Sequence, residues 1–466
     1  MCGILISLND SEEKIMSIAH RGIEHLTIKE NGVYLTHHRL PIQTLDGDVW
    51  QQPIEISEGV YLLFNGEIFN YDSKIYSSDT EYLVDLFRGW SGSSIQLFTA
   101  NYLPHILTWD GFWAIVIYDA NTKDVIAFTD PLGKKQLYKN DLGEVSSEVK
   151  ALKSSLSRLD THFISTIRKF GYNRDLNTVY DNVKRLQPNA FHHWNLLSPT
   201  FLTSAPGYYN FMHPISSLAG ADYEAHMNWL WDKMFESVKS RTIVTKYPTS
   251  ILVSGGLDSS IIAGIMYYQN LDTKWFTIEN GETEYVNLLA NEFKKTPVYL
   301  DYSMSDDHSF IYQKWNESPI DLGSVIPQYY LFDAIRKNSD LRVVISGDGS
   351  DELFGGYRRI HEYDSQVSDI FDELTYYHLP RLDRMSMAHT IELRNPFLHH
   401  DIIRFALSLP LEWRTDKKIL KDTFGPILPS EIVDRKKEAL KNPEIKKNSL
   451  EYRYSVVEKF LSDLDI

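Results

Sequence analysis

The spacing of apolar residues changes abruptly in this chain, on either side of residues 198–222. Before the change, Val33–Thr36, Val60–Asn65, Phe112–Tyr118 and Asp124–Thr129 are short apolar or β-branched runs bounded by Gly, Asn and Asp, the pattern of strands and turns. Asp119–Lys123 predicts a hairpin loop between two of these runs. Thr80–Trp90, with Tyr82, Leu83, Leu86 and Phe87 at helical spacing, predicts a helix. Two packed sheets with few helices satisfy this half. After the change, Tyr223–Ser240 predicts a long amphipathic helix, Ser250–Val253 a strand and Ser259–Asn270 a helix. Trp275–Ile278 then reads as a strand, Val286–Phe293 as a helix and Leu341–Ser346 as a further strand. Strands alternating with helices require a parallel sheet covered on both faces, a doubly wound α/β domain. The intervening Ser-Pro-Thr, Ala-Pro-Gly-Tyr-Tyr and Ala-Gly-Ala-Asp stretches read as a linker. The expected division is a domain over 2–197, a linker over 198–222 and a second domain over 223–466. No internal repeat or low-complexity tract interrupts it.

Composition narrows the function classes. Against 63 acidic side chains stand 47 basic ones, a net charge of −16, which does not suit a nucleic-acid binder. The basic run Arg435–Lys437, with Lys441, Lys446 and Lys447, is local and broken by Glu438 and Glu444. No apolar run approaches the ~20 residues that span a bilayer, and no basic-then-apolar leader opens the chain, so a soluble cytoplasmic protein with no membrane partner is expected. The pairs His37-His38, His192-His193 and His399-His400 read as packing or surface residues, since neighbours on a strand point to opposite faces. A single cysteine excludes a disulfide scaffold and any cysteine-rich metal site. That cysteine is residue 2, where removal of the initiator would leave a thiol and a free α-amine on one residue. An α-amine titrating near ~7.7–8.0 is well matched to general-base work at neutral pH.

Two loops at strand ends carry the other chemistry. Ser254-Gly255-Gly256-Leu257-Asp258-Ser259-Ser260 follows one strand and opens a helix. Its small residues let backbone N–H groups turn inward toward a phosphate or pyrophosphate at the helix N-terminus, and Asp258 is suited to a Mg²⁺ that bridges such oxygens. No Gly-Lys-Ser/Thr follows, so the ordinary triphosphatase loop is excluded. Ser346-Gly347-Asp348-Gly349-Ser350-Asp351-Glu352 ends a second strand, and both loops are expected to face one crevice.

Met1-Cys2-Gly3-Ile4, Asn65-Gly66-Glu67-Ile68-Phe69-Asn70 and these two loops, in this order, resemble the glutamine-dependent asparagine synthetases. Asp383-Arg384-Met385-Ser386-Met387-Ala388-His389 and Arg394-Asn395-Pro396-Phe397-Leu398 extend the likeness, which runs from residue 1 to about 440. The resemblance implies an N-terminal-nucleophile hydrolase αββα sandwich acting as a class II glutamine amidotransferase, followed by a synthetase domain of the ATP-pyrophosphatase type. It implies that the Cys2 thiol attacks the glutamine amide, with Asn65 and Gly66 meeting the oxyanion. Arg39 would clamp the glutamine α-carboxylate, and Glu67 and Asp79 its α-ammonium. In the second domain it implies ATP and Mg²⁺, with Leu252, Ile278, Ser346 and Gly347 at the nucleotide and Ser254, Gly255, Gly256, Asp258 and Ser259 around the pyrophosphate. Lys437 would neutralise charge developing on the phosphates, Asp258 and Asp351 would hold metal, and Asp348, Asp351 and Arg394 would place the acceptor or its adenylate. The activity implied is asparagine synthesis from aspartate, with small-molecule partners only; a homodimer is left open.

The chain departs from the family pattern in places. His20-Arg21-Gly22-Ile23-Glu24 stands for His-Arg-Gly-Pro-Asp, and Phe397-Leu398-His399 for Phe-Leu-Asp. Ser-Gly-Asp-Gly replaces Ser-Gly-Glu-Gly, so Asp348 reaches about one C–C bond less far. These changes bear on the acceptor more than on the reaction type. The same mechanism on another carboxylate, and a degenerate protein that binds nucleotide or glutamine without turnover, are the alternatives.

Overall fold

The structure, a computed structural model, describes residues 2–43, 50–90, 94–170, 172–278, 283–300, 309–317, 322–356, 372–435, 457–458 and 460–462. Its first half is built on two antiparallel sheets. One is ordered β10-β8-β9-β1-β3-β2, from β1 (Gly3–Ser7), β2 (Glu24–Glu30), β3 (Val33–Arg39), β8 (Tyr138–Asn140), β9 (Val145–Ser146) and β10 (Val183–Arg185). The other is ordered β12-β11-β7-β6-β5-β4, from β4 (Ile54–Ser57), β5 (Val60–Ile68), β6 (Gly111–Asp119), β7 (Asp124–Thr129), β11 (Ala190–Asn195) and β12 (Ser198–Pro206).

Period-2 alternation decides how the sheets stack. On β5, Tyr61 and Leu63 face one core while Leu62 and Phe64 face another; on β6, Ala114, Val116 and Tyr118 alternate in the same way with Ile115 and Ile117. The first set joins Ile4, Ile6, Val33 and Leu35 of the other sheet in a dry layer between the sheets. The second set packs on α2 (Asp79–Phe87) and α3 (Ile95–Ile106) through Leu83, Phe87 and Phe98. Leu5, between Ile4 and Ile6, faces outward with Ile18, Val149 and Phe163, the last on α4 (Thr161–Phe170), and Ile15 of α1 (Glu12–Ser17) packs against them. Helices therefore cover both outer faces, giving the four-layer αββα sandwich, and each fully buried Leu, Ile or Phe contributes ~1.5–3 kcal/mol.

The second half holds a five-stranded parallel sheet ordered β15-β14-β13-β16-β17, from β13 (Thr249–Leu252), β14 (Lys274–Ile278), β15 (Val298–Leu300), β16 (Val343–Ile345) and β17 (Glu392–Arg394). Strand order reverses between β13 and β16, the switch point at which open parallel sheets bind ligands beyond their carboxyl ends. Among its helices are α5 (Tyr223–Ile243), α6 (Leu257–Tyr268), α7 (Thr283–Glu292), α8 (Leu322–Asn338) and α9 (Ser350–Leu353).

Ser198–Pro206, read from composition as part of the linker, is instead an edge strand paired antiparallel with β11. Pro199 and Pro206 fit there because an edge strand has one side on which a missing N–H breaks no ladder. Helices Ile95–Ile106 and Thr161–Phe170 were not expected from the sequence; the first holds Pro104, and the second is strongly amphipathic but short. The six paired histidines are buried; His37, His38, His192 and His400 bond to the backbone carbonyls of Phe64, Ile15, Gln187 and Trp109. Among the described residues no group of three or more His, Cys, Asp and Glu side chains converges as a metal site, and no helix is long and apolar enough to cross a membrane.

The two halves meet across a seam of buried charge. Arg21 donates to Glu148 at 2.7 Å and to Asp383 at 2.9 Å, Lys135 also pairs with Asp383, and Arg241 grips Asp110 through both terminal nitrogens at 2.7 and 2.9 Å. Despite burial, Arg21 and Lys135 hold the Asp383 carboxyl down to about 2. Breaking one partner of such a buried pair costs ~3–5 kcal/mol because the other charge is stranded.

Candidate active site

Cys2 lies just ahead of β1, opposite the end of β3, because Gly3 pairs with His38 in register. Its backbone N–H donates to Asn65 Oδ1 at 2.8 Å and its carbonyl accepts from Arg21 Nε at 2.9 Å, so the cysteine is tied both to β5 in the facing sheet and to the seam. Asn65 is fully buried and its oxygen accepts from Cys2, while Nδ2 has no hydrogen-bond partner among the described residues. A buried, unpartnered N–H donor beside a thiol is the arrangement an oxyanion needs. Gly66 follows where no side chain fits: a Cβ there would stand 2.2 Å from the Phe112 carbonyl oxygen.

The pocket next to Cys2 is lined by Arg39, Gln43, Gln52, Gly66, Glu67 and Asp79 among others. Arg39 ends β3 and sits 3.6 Å from Glu24, its register partner on β2. Asp79 begins α2 behind the Ser78 cap, and its Oδ2 accepts the Ile68 N–H at 3.1 Å. Gln43 bridges the two acids, donating to Glu67 at 2.5 Å and accepting from the Asp79 N–H at 3.0 Å. Burial, with Glu392 and Asp79 adding like charge, pushes Glu67 well above the carboxylate range. Burial likewise pushes Asp79 up to about 7. Two buried carboxyls crowded in this way favour a cation between them, which an α-ammonium would supply. The sequence did not single out Gln43, since it falls in no motif.

The second site stands at the switch point. A cavity of about 260 Å³ is lined by Leu252, Ser254, Gly256, Asp258, Ser259 and Ile278 from the β13 and β14 side, and by Ser346, Gly347, Asp348 and Asp351 from the loop after β16. The two loops touch because Gly347 has no side chain: a Cβ would lie 2.9 Å from that of Asp258. Gly255 belongs to the first loop but not to the lining; its carbonyl accepts from Arg435 at 3.0 Å. Asp258 and Asp351 converge on one cation, Lys417, whose Nζ is 2.6 Å from each. The Ser350 hydroxyl also donates to Asp258 at 2.6 Å. Burial and the neighbouring Asp351 raise Asp258 even so, while the two acids keep Lys417 charged above its usual range against burial. The donor set fits a divalent cation: Mg²⁺ is commonly bound by one or two carboxylates with the remaining positions left to substrate phosphates.

Lys417 is a second residue the sequence missed. It lies in Thr415-Asp416-Lys417-Lys418, with no motif to mark it, and both Asp416 and Lys417 have left-handed backbone, φ 52° and 59°, which turns its stem inward. Lys437 lies outside the described residues. Arg394 is corrected: it does not line the cavity but is fully buried behind the first pocket. There it donates to Glu392 at 2.6 Å and to the carbonyls of Arg241 and Val244 at 2.8 and 2.9 Å, with Nη2 3.3 Å from Glu67. It ends β17, at the sheet edge one strand beyond the switch point, and so faces the seam.

Both halves of the chain are similar to known proteins. The profile of the glutamine amidotransferase domain matches residues 1–197, and that of asparagine synthase matches 230–375 and 363–464. Over 91% of its own length and 80% of theirs, the chain is 27% identical to the glutamine-hydrolyzing asparagine synthetase of Mus musculus and 28% identical to that of Rattus norvegicus. Against the corresponding Gallus gallus protein the identity is 27% over the full chain and 88% of the relative.

Proposed function

We propose, for a chain that belongs to the asparagine synthase family, that it makes asparagine from aspartate, with glutamine as nitrogen donor and ATP as the activating substrate. The observation that carries the first half is the buried Cys2 bonded to Asn65 Oδ1 with Asn65 Nδ2 left unpartnered. The Cys2 thiol attacks the glutamine side-chain carbonyl, and the Cys2 α-amine, free once the initiator is removed, takes the thiol proton and passes it to the departing ammonia. Asn65 Nδ2 and the Gly66 N–H receive the oxyanion. Arg39 clamps the α-carboxylate in the bidentate manner a guanidinium favours, and Glu67 and Asp79 hold the α-ammonium. Water then releases glutamate from the thioester.

In the second half, ATP lies in the switch-point cavity with its base toward Leu252 and Ile278 and its phosphates on the loop Ser254–Ser259. The aspartate carboxylate attacks the α-phosphate, pyrophosphate leaves, and ammonia from the first site displaces AMP. Asp258 and Asp351 would hold Mg²⁺, which supplies charge neutralisation on the phosphate oxygens. Lys417, already between those carboxylates, stands where the pyrophosphate charge develops, and Lys437 adds a second cation. Asp348 and Asp351 face the acceptor. We divide the chain into an amidotransferase domain from residue 2 through β12 and a synthetase domain from Tyr223 onward. The protein is a cytoplasmic enzyme in this reading.

The test is product analysis with purified protein, ATP, Mg²⁺, glutamine and aspartate. Asparagine, glutamate, AMP and pyrophosphate formed in step are the expected result. Glutamate without asparagine or AMP would move the reading to another carboxylate acceptor, which the shorter Asp348 favours as the second choice. Neither glutaminase activity nor pyrophosphate release would mean a binding protein.

A further inference from the structure

Asp348, the shortened acid of the second loop, is not held by its own loop alone. A one-way run of hydrogen bonds reaches it from the other half of the molecule. Lys134 Nζ donates to Asn395 Oδ1 at 2.6 Å and to the Leu393 carbonyl at 2.9 Å. Asn395 Nδ2 donates to Ser346 Oγ at 2.8 Å, and the Ser346 hydroxyl donates to Asp348 Oδ2 at 2.6 Å. Each link dictates the next. Lys134 Nζ donates to the Asn395 oxygen, which leaves Asn395 its NH₂ for Ser346. A hydroxyl that accepts there has its proton free for Asp348. Lys134, Asn395 and Ser346 are 6%, 2% and 3% exposed, and the run reaches the cavity at Ser346 and Asp348, which line it.

The origin of the run is costly. Among the described residues Lys134 pairs with no carboxylate, and its Nζ instead lies 4.1 Å from the centre of the Phe112 ring. Burial, with Lys135 adjacent, pushes its pKa well below the usual lysine range. An apolar residue would fill the same space at less cost, so the amine is retained for what it donates to.

We propose that Lys134, acting through Asn395 and Ser346, is a positioning residue that aims the Asp348 carboxylate at the acceptor, an inference that rests on the synthetase reading of the cavity. Anchoring one carboxyl oxygen from behind leaves the other for substrate and gives a shorter side chain a fixed reach. The anchor comes from the amidotransferase domain, so the acceptor site is complete only when both domains are docked.

Two variants test it. Lys134→Met exchanges the amine for an apolar chain of like length, and Asn395→Asp keeps the shape and pairs with Lys134 but draws the Ser346 proton to itself. Both are expected to raise the KM for aspartate about tenfold in the ammonia-dependent reaction, the worth of one charge-assisted hydrogen bond, with the KM for ATP within about twofold. In crystals of either variant the Asp348 carboxyl should leave Ser346. An unchanged aspartate KM, or equal rises for aspartate and ATP, would overturn the proposal, as would an Asp348 carboxyl still on Ser346. If the unaltered protein forms no asparagine, it is the synthetase reading that falls, and the crystals alone decide whether the run orients Asp348.

Discussion

Around Cys2 the acids are crowded and short of cations. Glu67 has one guanidinium at 3.3 Å that Glu392 already engages, and among the described residues no basic side chain pairs with Asp79. At the switch-point cavity two acids are matched, Asp258 and Asp351 each lying 2.6 Å from the same ammonium. On the proposed function the difference follows from what each pocket is to bind. A zwitterionic amino acid brings its own ammonium, so its pocket can leave carboxyls unmatched. A polyphosphate brings only negative charge, so its pocket must carry a cation in advance. The folds make this practicable: strand ends in the sandwich bring side chains together from both sheets, whereas the switch point brings two backbone loops together at helix N-termini.

If the pockets are as separate as this contrast requires, each can be silenced alone. The largest expected effect is that of Cys2→Ala, which should lower glutamine-dependent synthesis by more than about a thousandfold, as loss of a nucleophile does, while synthesis from added ammonia persists. Parallel assays with glutamine and with ammonium chloride check this; loss of both activities would contradict separate sites. Asp258→Asn should act in the opposite sense, cutting pyrophosphate release several hundredfold or more while glutaminase activity continues, since it leaves Lys417 with one partner and removes a charge from the cation site. Pyrophosphate release at the original rate would sink the metal role.

Asn65→Ala comes next and sharpens the account of the first pocket. Removing one oxyanion donor costs ~10²–10³ in kcat. The effect should fall on kcat for glutamine and leave KM within a few-fold, because Nδ2 has no ground-state partner among the described residues to lose. A rise confined to KM would make Asn65 a substrate clamp instead.

The legibility of the two regions in the sequence was as unequal as their charge. The parallel sheet could be read because its signals are local: an apolar strand running straight into Ser254-Gly255-Gly256, another into Ser346-Gly347-Asp348. Nearly every residue taken from those loops lines the cavity, since a loop at a switch point has little choice of direction. Arg394 failed because its motif lies at the end of an edge strand, where orientation is set by the neighbouring domain. Lys417 and Gln43 were invisible because what places them is a left-handed turn and a bridge between two acids distant in sequence, which no spacing encodes. The strand Ser198–Pro206 was missed for a similar reason, as its prolines count against a strand until the strand is known to be at an edge.

The smallest effect is the most direct test of unmatched charge. Asp79, pushed up to about 7 by burial, stays protonated below neutrality in the empty pocket and can hold an ammonium fully only when ionised. The KM for glutamine should therefore fall as pH rises from about 6 to 8, by roughly the tenfold that one ionisation near the middle of that range allows. Stability runs the other way. A carboxyl whose pKa in the folded protein exceeds its unfolded value favours folding below the unfolded value, and that contribution is lost as pH rises through about 7. The rise in melting temperature on adding glutamine should accordingly be larger at pH 8 than at pH 6, because the substrate ammonium restores what ionisation removes. Asp79→Asn should flatten both profiles while raising the KM for glutamine at pH 8 about tenfold. A glutamine KM that stays level with pH in the unaltered protein would show that a cation of its own already matches the first pocket, and the contrast with the Lys417 site would disappear.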